Sequence, residues 1–409
     1  MAEGAAQGPT LAGIPVAFVL FALTLLGVAI FHHHTLRIGL LGLATITLYK
    51  LIFTSFEGVP GLPGLAAHLA EEWVVLSNLF GLLVGFALLA DHFEKSHVPG
   101  WLPTLLPDDW RGPATLLVMI FVVSTFLDNI AAAIIGGTIA ASVFRKKVHI
   151  AYLAAIVAAS NAGGAGSVVG DTTTTMMWIE GVSPLDVMHA FLPALVALAV
   201  FSIPASLVQQ KFSPIVCDPT PGLTIDWSRV AIVMLLLFAV IGTNLVVNTR
   251  YPDLADQFPF LAAAVWVTLL VTTVWRAPNW KRVRPSASGS LFLLSLVTSA
   301  SMMPVESLPL PSWETTVALG FVSAVFDNIP LTKLALEQGG YDWGALAYAV
   351  GFGGSMMWFG SSAGVALSTQ FPQAKSVFLW LRHGWMIPLA YLAGFAALLV
   401  LAGWHPAAA

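Results

Sequence analysis

Three aspartates stand in stretches with almost no other charge. Asp128 and Asp327 each open an Asp-Asn-Ile triplet, within Ser124-Thr-Phe-Leu-Asp128-Asn129-Ile130 and Ser323-Ala-Val-Phe-Asp327-Asn328-Ile329. Asp171 closes a different stretch, Ser160-Asn161-Ala-Gly163-Gly164-Ala-Gly-Ser-Val-Val-Gly170-Asp171-Thr172. Its counterpart is Gly351-Phe-Gly353-Gly354-Ser-Met-Met-Trp-Phe-Gly360-Ser361-Ser362, in which Ser361 stands opposite Asp171. Carboxylates interleaved with neutral amide and hydroxyl oxygens are donors suited to a small hard cation. A carboxyl held away from water favours its neutral form, and a cation arriving beside it favours the charged form. One such residue can therefore trade a cation for a proton. The candidate ion and proton ligands are Asp128, Asn129, Ser160, Asn161, Asp171 and Thr172 in the first block, and Asp327, Asn328, Ser361 and Ser362 in the second.

The elements that must position these residues belong to a membrane. Of 409 residues, 57% are hydrophobic and 9% charged, and the mean hydropathy is +0.85. Soluble domains carry roughly 25% charged residues. The apolar runs are too numerous for a soluble core, so the fold class is an all-α polytopic membrane protein. An ionisable residue at membrane depth is costly and is by default a functional candidate. Backbone broken by glycine is tolerated there only where it is buried or lines a cavity. Gly163, Gly164, Gly170, Gly353, Gly354 and Gly360 are therefore expected to mark unwound hinges. A net charge of −4 and no basic stripe give no basis for nucleic-acid binding. The one cysteine, Cys217, rules out an intrachain disulfide and a cysteine-based metal cluster. Residues 1–10 lack the basic start of a cleavable signal, so the first apolar run is expected to stay as a helix.

Two halves repeat one motif order, an Asp-Asn pair and then a glycine-rich break. Residues 1–210 are read as three spans, a re-entrant hairpin at about 113–144, a broken helix at about 149–180 and a span at about 186–209. Residues 211–228, with Pro214, Pro219 and Pro221, are the linker. Residues 229–409 repeat the plan, with a hairpin at about 312–337, a broken helix at about 344–370 and a final span at about 384–403. That makes about ten transmembrane helices, two of them discontinuous, plus two hairpins. With the N-terminus outside, this arrangement puts Arg111, Arg145, Lys146, Lys147, Lys281, Arg282 and Arg284 on the inner face, as the positive-inside rule requires. Both termini are then external, as are 57–72 and 338–343. The second half starts from the opposite face, so the repeats are inverted. Paired interrupted segments in two halves point to a transporter's binding site.

With these motifs placed, the chain resembles the ion transporter superfamily and, within it, the NhaD-type sodium/proton antiporters. Four phrases over about 124–178 and 323–367 carry the resemblance: S-T-F-L-D-N-I-A-A-A, S-N-A-G-G-A-G-S-V-V-G-D-T-T-T-T, F-D-N-I-P and G-G-S-M-M-W-F-G-S-S-A-G-V-A. The more distant divalent anion:sodium symporters carry Ser-Asn-Thr at each hairpin tip, where this chain has Asp-Asn-Ile. The resemblance implies a homodimer in a bacterial inner membrane, with a scaffold and a mobile transport domain working as an elevator. Sodium (or lithium) and protons are then the transported species. No cofactor is expected, and the partners are monovalent cations and membrane lipid. Sodium is expected at Asp128, Asn129 and Asp171. The first half has two acids and the second has one, so the main exchange is expected in the first half.

Other readings compete. A sodium- or proton-coupled citrate or dicarboxylate carrier would share the fold, but its carboxylate substrate calls for a cationic pocket, and Lys333 is the intramembrane cation on offer. An intramembrane aspartyl protease would need Gly-x-Gly-Asp, and Val168 breaks that signature. A channel leaves the broken helices of both halves unexplained. Each Asp could instead simply cap a half-helix. Thr172–Thr175 could bond to nearby carbonyls. Lys333 and Lys50 could snorkel to an interface, and the His32-His33-His34 tract is read as interfacial.

Overall fold

The computed structural model describes residues 9–31, 34–56, 58–216, 224–251, 254 and 257–407. His32, His33, Cys217 and part of the expected linker lie outside the described residues. The described chain is helical apart from a small hairpin pairing Thr10–Leu11 with Ile14–Pro15 and an isolated bridge between Phe56 and Val59.

Among the described residues, four helices are long and apolar enough to cross a membrane: Thr35–Phe53, Gly61–Lys95, Pro184–Phe212 and Trp227–Val247. Val377–His383 with Met386–Leu401 would make a fifth, bent by 55°. The other apolar runs are divided where polar or glycine residues interrupt them. Arg111–Ser124 (α4) gives way to Asn129–Val143 (α5) at the first Asp-Asn pair. Ile150–Ala165 (α6) and Thr172–Ile179 (α7) flank the first glycine-rich break. Later, Trp313–Ser323 (α12) precedes Asn328–Gln338 (α13), and Trp343–Gly353 (α14) precedes Ser362–Gln370 (α15). At 1.5 Å per residue, each of these eight pieces is shorter than the roughly 30 Å hydrocarbon layer. The helix Val283–Ser301 (α11) ends ahead of Pro304, whose ring does not fit a helix interior.

The helices form two packed groups. Val16–Ile30 (α1), Thr35–Phe53 (α2), Gly61–Lys95 (α3), Trp227–Arg250 (α9), Phe260–Thr272 (α10) and α11 pack on one another. The broken pieces gather with Phe191–Phe212 (α8), Val377–His383 (α16) and Met386–Leu401 (α17). At the centre of this second group lie α6 and α14, buried from Ala151 to Ala165 and from Gly344 to Gly353. Helices apolar all round belong inside, and the small residues of α6 let neighbouring backbones approach closely.

The two motif blocks make equivalent contacts. Ser124 Oγ donates to the Ser160 carbonyl at 2.6 Å, and Ser323 Oγ donates to the Val350 carbonyl at 2.7 Å. A Cβ on Gly163 would overlap the Phe121 carbonyl, and one on Gly353 would overlap the Gly320 carbonyl. This corrects the hinge expectation. Gly163 and Gly164 lie inside α6, which continues to Ala165, and Gly353 is the last residue of α14. Gly354 begins a 3-10 turn, while Gly170 and Gly360 stand in the non-helical breaks. Gly163 and Gly353 serve close helix approach rather than unwinding.

Candidate ion-binding site

Four helix N-termini present the motif residues. Asp128 caps α5 with φ −48° and ψ 138°, and Asp327 caps α13 with φ −55° and ψ 140°. Asp171 caps α7 with φ −144° and ψ 143°, and Ser361 caps α15 with φ −142° and ψ 152°. Each pair shares one backbone geometry. The first turn of a helix offers N–H groups without intrahelical partners and the positive end of the dipole. Accordingly Asp171 Oδ1 accepts from Thr173 N at 3.1 Å, Asp327 Oδ1 from Ile329 N at 3.1 Å and Ser361 Oγ from Gly364 N at 3.3 Å. Asp171, Asp327 and Ser361 thus make capping bonds, whereas Asp128 holds the N-cap position of α5 without a side-chain capping bond, and Asp171 and Asp327 each keep a second carboxylate oxygen for other partners.

Between the tips runs an amide and hydroxyl network. Asn129 Nδ2 donates to Asn161 Oδ1 at 3.1 Å. Asn161 Nδ2 donates to Ser355 Oγ at 2.9 Å and Ser361 Oγ at 3.0 Å, which ties the first block to the second. Asn328 Nδ2 reaches Asp171 Oδ2 at 3.5 Å, tying the second block back to the first. Ser362 Oγ donates to Asp327 Oδ2 at 3.3 Å.

A cavity of about 400 Å³ opens on the acids. Asp128, Asp171, Thr172 and Ser362 line it, together with Leu82, Leu83, Phe86, Ala87 and Ala90 of α3, and it extends to Glu94 and Arg282. A separate cavity of about 280 Å³ reaches Asp327 and also borders Ser362. Asp128 and Asp171 therefore share one chamber, while Asp327 faces another. Among the described residues, no cluster of three or more His, Cys, Asp or Glu is arranged to hold a metal ion. The donors around Asp128 and Asp171 are instead largely neutral oxygens.

Some sequence candidates sit apart from this chamber. The Ser160 hydroxyl donates to Val157 O at 2.9 Å on its own helix. Thr175 borders the chamber, but its hydroxyl, like that of Thr174, is spent on backbone carbonyls, those of Asp171, Ser167 and Val168. Lys333 does not snorkel: it is 2% exposed and contacts Glu72, Glu180 and Glu337 at 3.0, 2.6 and 2.8 Å. Three carboxylates solvate its ammonium better than a long reach to water would. Glu337, four residues on, was visible as a helical neighbour. Glu72 and Glu180 carry no local signal, nor does Ser355 in the Asn161 network.

No family model matches the chain. It is 29% identical over 336 residues to sodium/proton antiporter 1 of Arabidopsis thaliana, covering 72% of this chain and 57% of that protein. It is 29% identical over 310 residues to sodium/proton antiporter 2 of the same plant, covering 66% of this chain and 72% of that protein. It is 27% identical over 329 residues to the Na(+)/H(+) antiporter NhaD of Vibrio cholerae, covering 69% of this chain and 67% of that protein. The chain thus spans little more than half the length of the first of these relatives.

Proposed function

We propose, on the premise that this chain is a relative of the NhaD-type sodium/proton antiporters, that it exchanges sodium or lithium for protons across a membrane by alternating access. The observation that carries this reading is the shared chamber of Asp128 and Asp171. Two carboxyls at helix tips border it with Thr172 and Ser362, and the Asn129–Asn161 amide pair adjoins it. Such a site can hold either a small cation or protons, but not both at full occupancy. The cation stabilises the ionised carboxylates and the proton the neutral ones, so each displaces the other. No cofactor enters the exchange.

The same reading assigns sodium to Asp128, Asn129 and Asp171. Asp327, Asn328, Ser361 and Ser362 form a related second tip. The equivalent caps and the equivalent Ser124 and Ser323 bonds support an internal repeat. Opposite orientation of the repeats follows from the charge distribution along the sequence. The face bearing Glu94, Arg282 and Lys281 is then the inner one. A mobile group built on α6 and α14, sliding against a scaffold of α1–α3 and α9–α11 in a homodimer, is the motion we propose.

The carboxylate-carrier reading loses its main support, because Lys333 is already paired with three glutamates. The test is reconstitution. Sodium or lithium added to proteoliposomes with a preset pH gradient should collapse that gradient without any organic anion. Sodium-dependent uptake of labelled citrate with no cation-driven proton flux would overturn the assignment.

A further inference from the structure

Glu72 and Glu94 lie on one helix, α3, about 33 Å apart at 1.5 Å per residue, a distance comparable to the hydrocarbon thickness. The chamber reaches along α3 from Leu82 to the Glu94 end. Glu72 marks the other end, where the Lys333 cluster sits. The same order holds on the two half-helices facing α3. On α7, Thr172 borders the chamber, Met176 follows, and Glu180 comes at the helix end. On α13, Asp327 stands at the tip, Ile329 follows, and then Lys333. Leu79 falls between Glu72 and the first chamber residue, Leu82, on α3. Leu79, Met176 and Ile329 are 0–3% exposed and pack with Leu293 and Val297 of α11 in one apolar cluster. An apolar layer and then an ionic layer thus follow the acids in the direction away from the Glu94 end.

We propose that the apolar layer of Leu79, Met176 and Ile329, backed by Lys333 with Glu72, Glu180 and Glu337, is the closed gate of the second access route, and that Lys333 is the positioning residue that holds it shut. Glu72 belongs to the α1–α3 group, whereas Lys333, Glu337 and Glu180 belong to the other, so Lys333 ties one group to the other. The second oxygen of Glu72, Oε2, is buried with no hydrogen-bond partner. The Glu72 carboxylate is thus held through Oε1, by Lys333. A buried ion pair that loses one partner leaves an uncompensated charge, and that is strongly destabilising for the closed arrangement. Without the ammonium, three carboxylates repel one another and draw water, and the apolar layer parts from its backing. The gate's place rests on the structure alone, while its use in each transport cycle rests on the antiport reading.

The experiment reads accessibility rather than transport, so it stands whatever ion is carried. A single cysteine at Met176→Cys, with Cys217 replaced by Ser, is reacted with a membrane-impermeant maleimide from the face bearing Glu72 in sealed vesicles. With Lys333 present, labelling should be slow. In Lys333→Gln it should be at least about tenfold faster, a shift of roughly 1.4 kcal/mol in the open fraction, and Lys333→Arg should restore slow labelling. A cysteine at Ala158→Cys, deep in α6, should stay unreactive in all three, which separates gate opening from general loosening. If Lys333→Gln does not fold, Glu72→Gln, which loosens the tie to α3 while Lys333 keeps Glu180 and Glu337, should label fast, and slow labelling in folded Glu72→Gln would overturn the proposal. Unchanged labelling at Met176→Cys in folded Lys333→Gln, or equal gains at both cysteines, would overturn the proposal.

Discussion

The two glycine-rich breaks share a backbone and differ in what hangs from it. Asp171 and Ser361 cap α7 and α15 with φ and ψ within about 10° of each other. Across from Ser361 stands Asn161, which donates to it at 3.0 Å. Across from Asp171, at the position matching Asn161, stands Gly351, and a Cβ there would lie 3.4 Å from Asp171 Oδ2. One crossing is thus filled by a neutral amide–hydroxyl bond. The other places a carboxylate beside a residue with no side chain. The repeated backbone supplies two helix tips, and only the first carries an acid in the chamber shared with Asp128. The two breaks thus share one tip geometry that positions residues, while only one of them places a carboxylate at the tip.

The largest effect that tests this contrast comes from the charge itself. Asp128→Asn and Asp171→Asn should each lower sodium-driven proton flux by about 100-fold or more, roughly 3 kcal/mol of lost function at tenfold per 1.4 kcal/mol. Tm should hold or rise, because removing a charge at membrane depth removes its desolvation penalty. Flux and Tm measured on the same purified samples decide between ion binding and mere capping, since capping alone predicts lost Tm with intact flux per folded molecule. Asp171→Ser, which writes the second tip's residue into the first, should be as inactive as Asp171→Asn.

Asp327→Asn should be milder, lowering flux by about tenfold or less. Asp327 faces the smaller cavity, and its Oδ2 is already engaged by Ser362. A loss as deep as that of Asp171→Asn would make the two tips functional equals and break the comparison.

Gly163→Ala and Gly353→Ala test what the halves share. Each added methyl meets a backbone carbonyl that cannot swing aside, and overpacking of this kind costs about 1–3 kcal/mol. Similar falls in Tm would support equivalent packing of α6 and α14, whereas a fall in only one would show that the repeat is not structurally matched there.

The smallest effect is a control outside the membrane. Asp226 caps α9, accepting from Ser228 N at 3.1 Å and Arg229 N at 3.3 Å, and pairs with Arg276 at 3.3 Å. Burial is the largest single influence and pushes its carboxyl up, but hydrogen bonds from Arg229, Arg276 and Ser228 and the Arg276 charge together outweigh it and hold the carboxyl below the ordinary range. The unfolded chain therefore takes up this proton first as pH falls, so the cap's contribution is present above the ordinary carboxylate range and lost below it. Asp226→Ala should lower Tm by a few degrees at neutral pH with flux per folded molecule intact, and the gap from the parent should narrow in acid. This is the reverse of the pattern expected for Asp171→Asn.

Much was legible in the sequence because membrane physics makes polar residues conspicuous. Asp128, Asn129, Asp171, Asp327 and the repeated order of motifs stand out because polar groups in an apolar surround are costly and need a partner, whether an ion or a helix end, and the breaks beside Asp128 and Asp327 fall at the Asp-Asn pairs. The extent of the glycine-rich break did not follow. The glycines favour unwinding from Gly163 onward, yet α6 runs to Ala165, and Gly163 answers instead to the nearness of the Phe121 carbonyl, a contact made by a residue far along the chain. Long-range pairing also decided the rest. Asn161 meets Ser355 and Ser361 from the other half of the sequence. Lys333 finds Glu72 and Glu180, although nothing near any of the three in sequence announces the others. A sequence records which groups must escape lipid, through local polarity against an apolar background. Which partner each group escapes to depends on how distant helices pack, and that is a property of the folded chain alone.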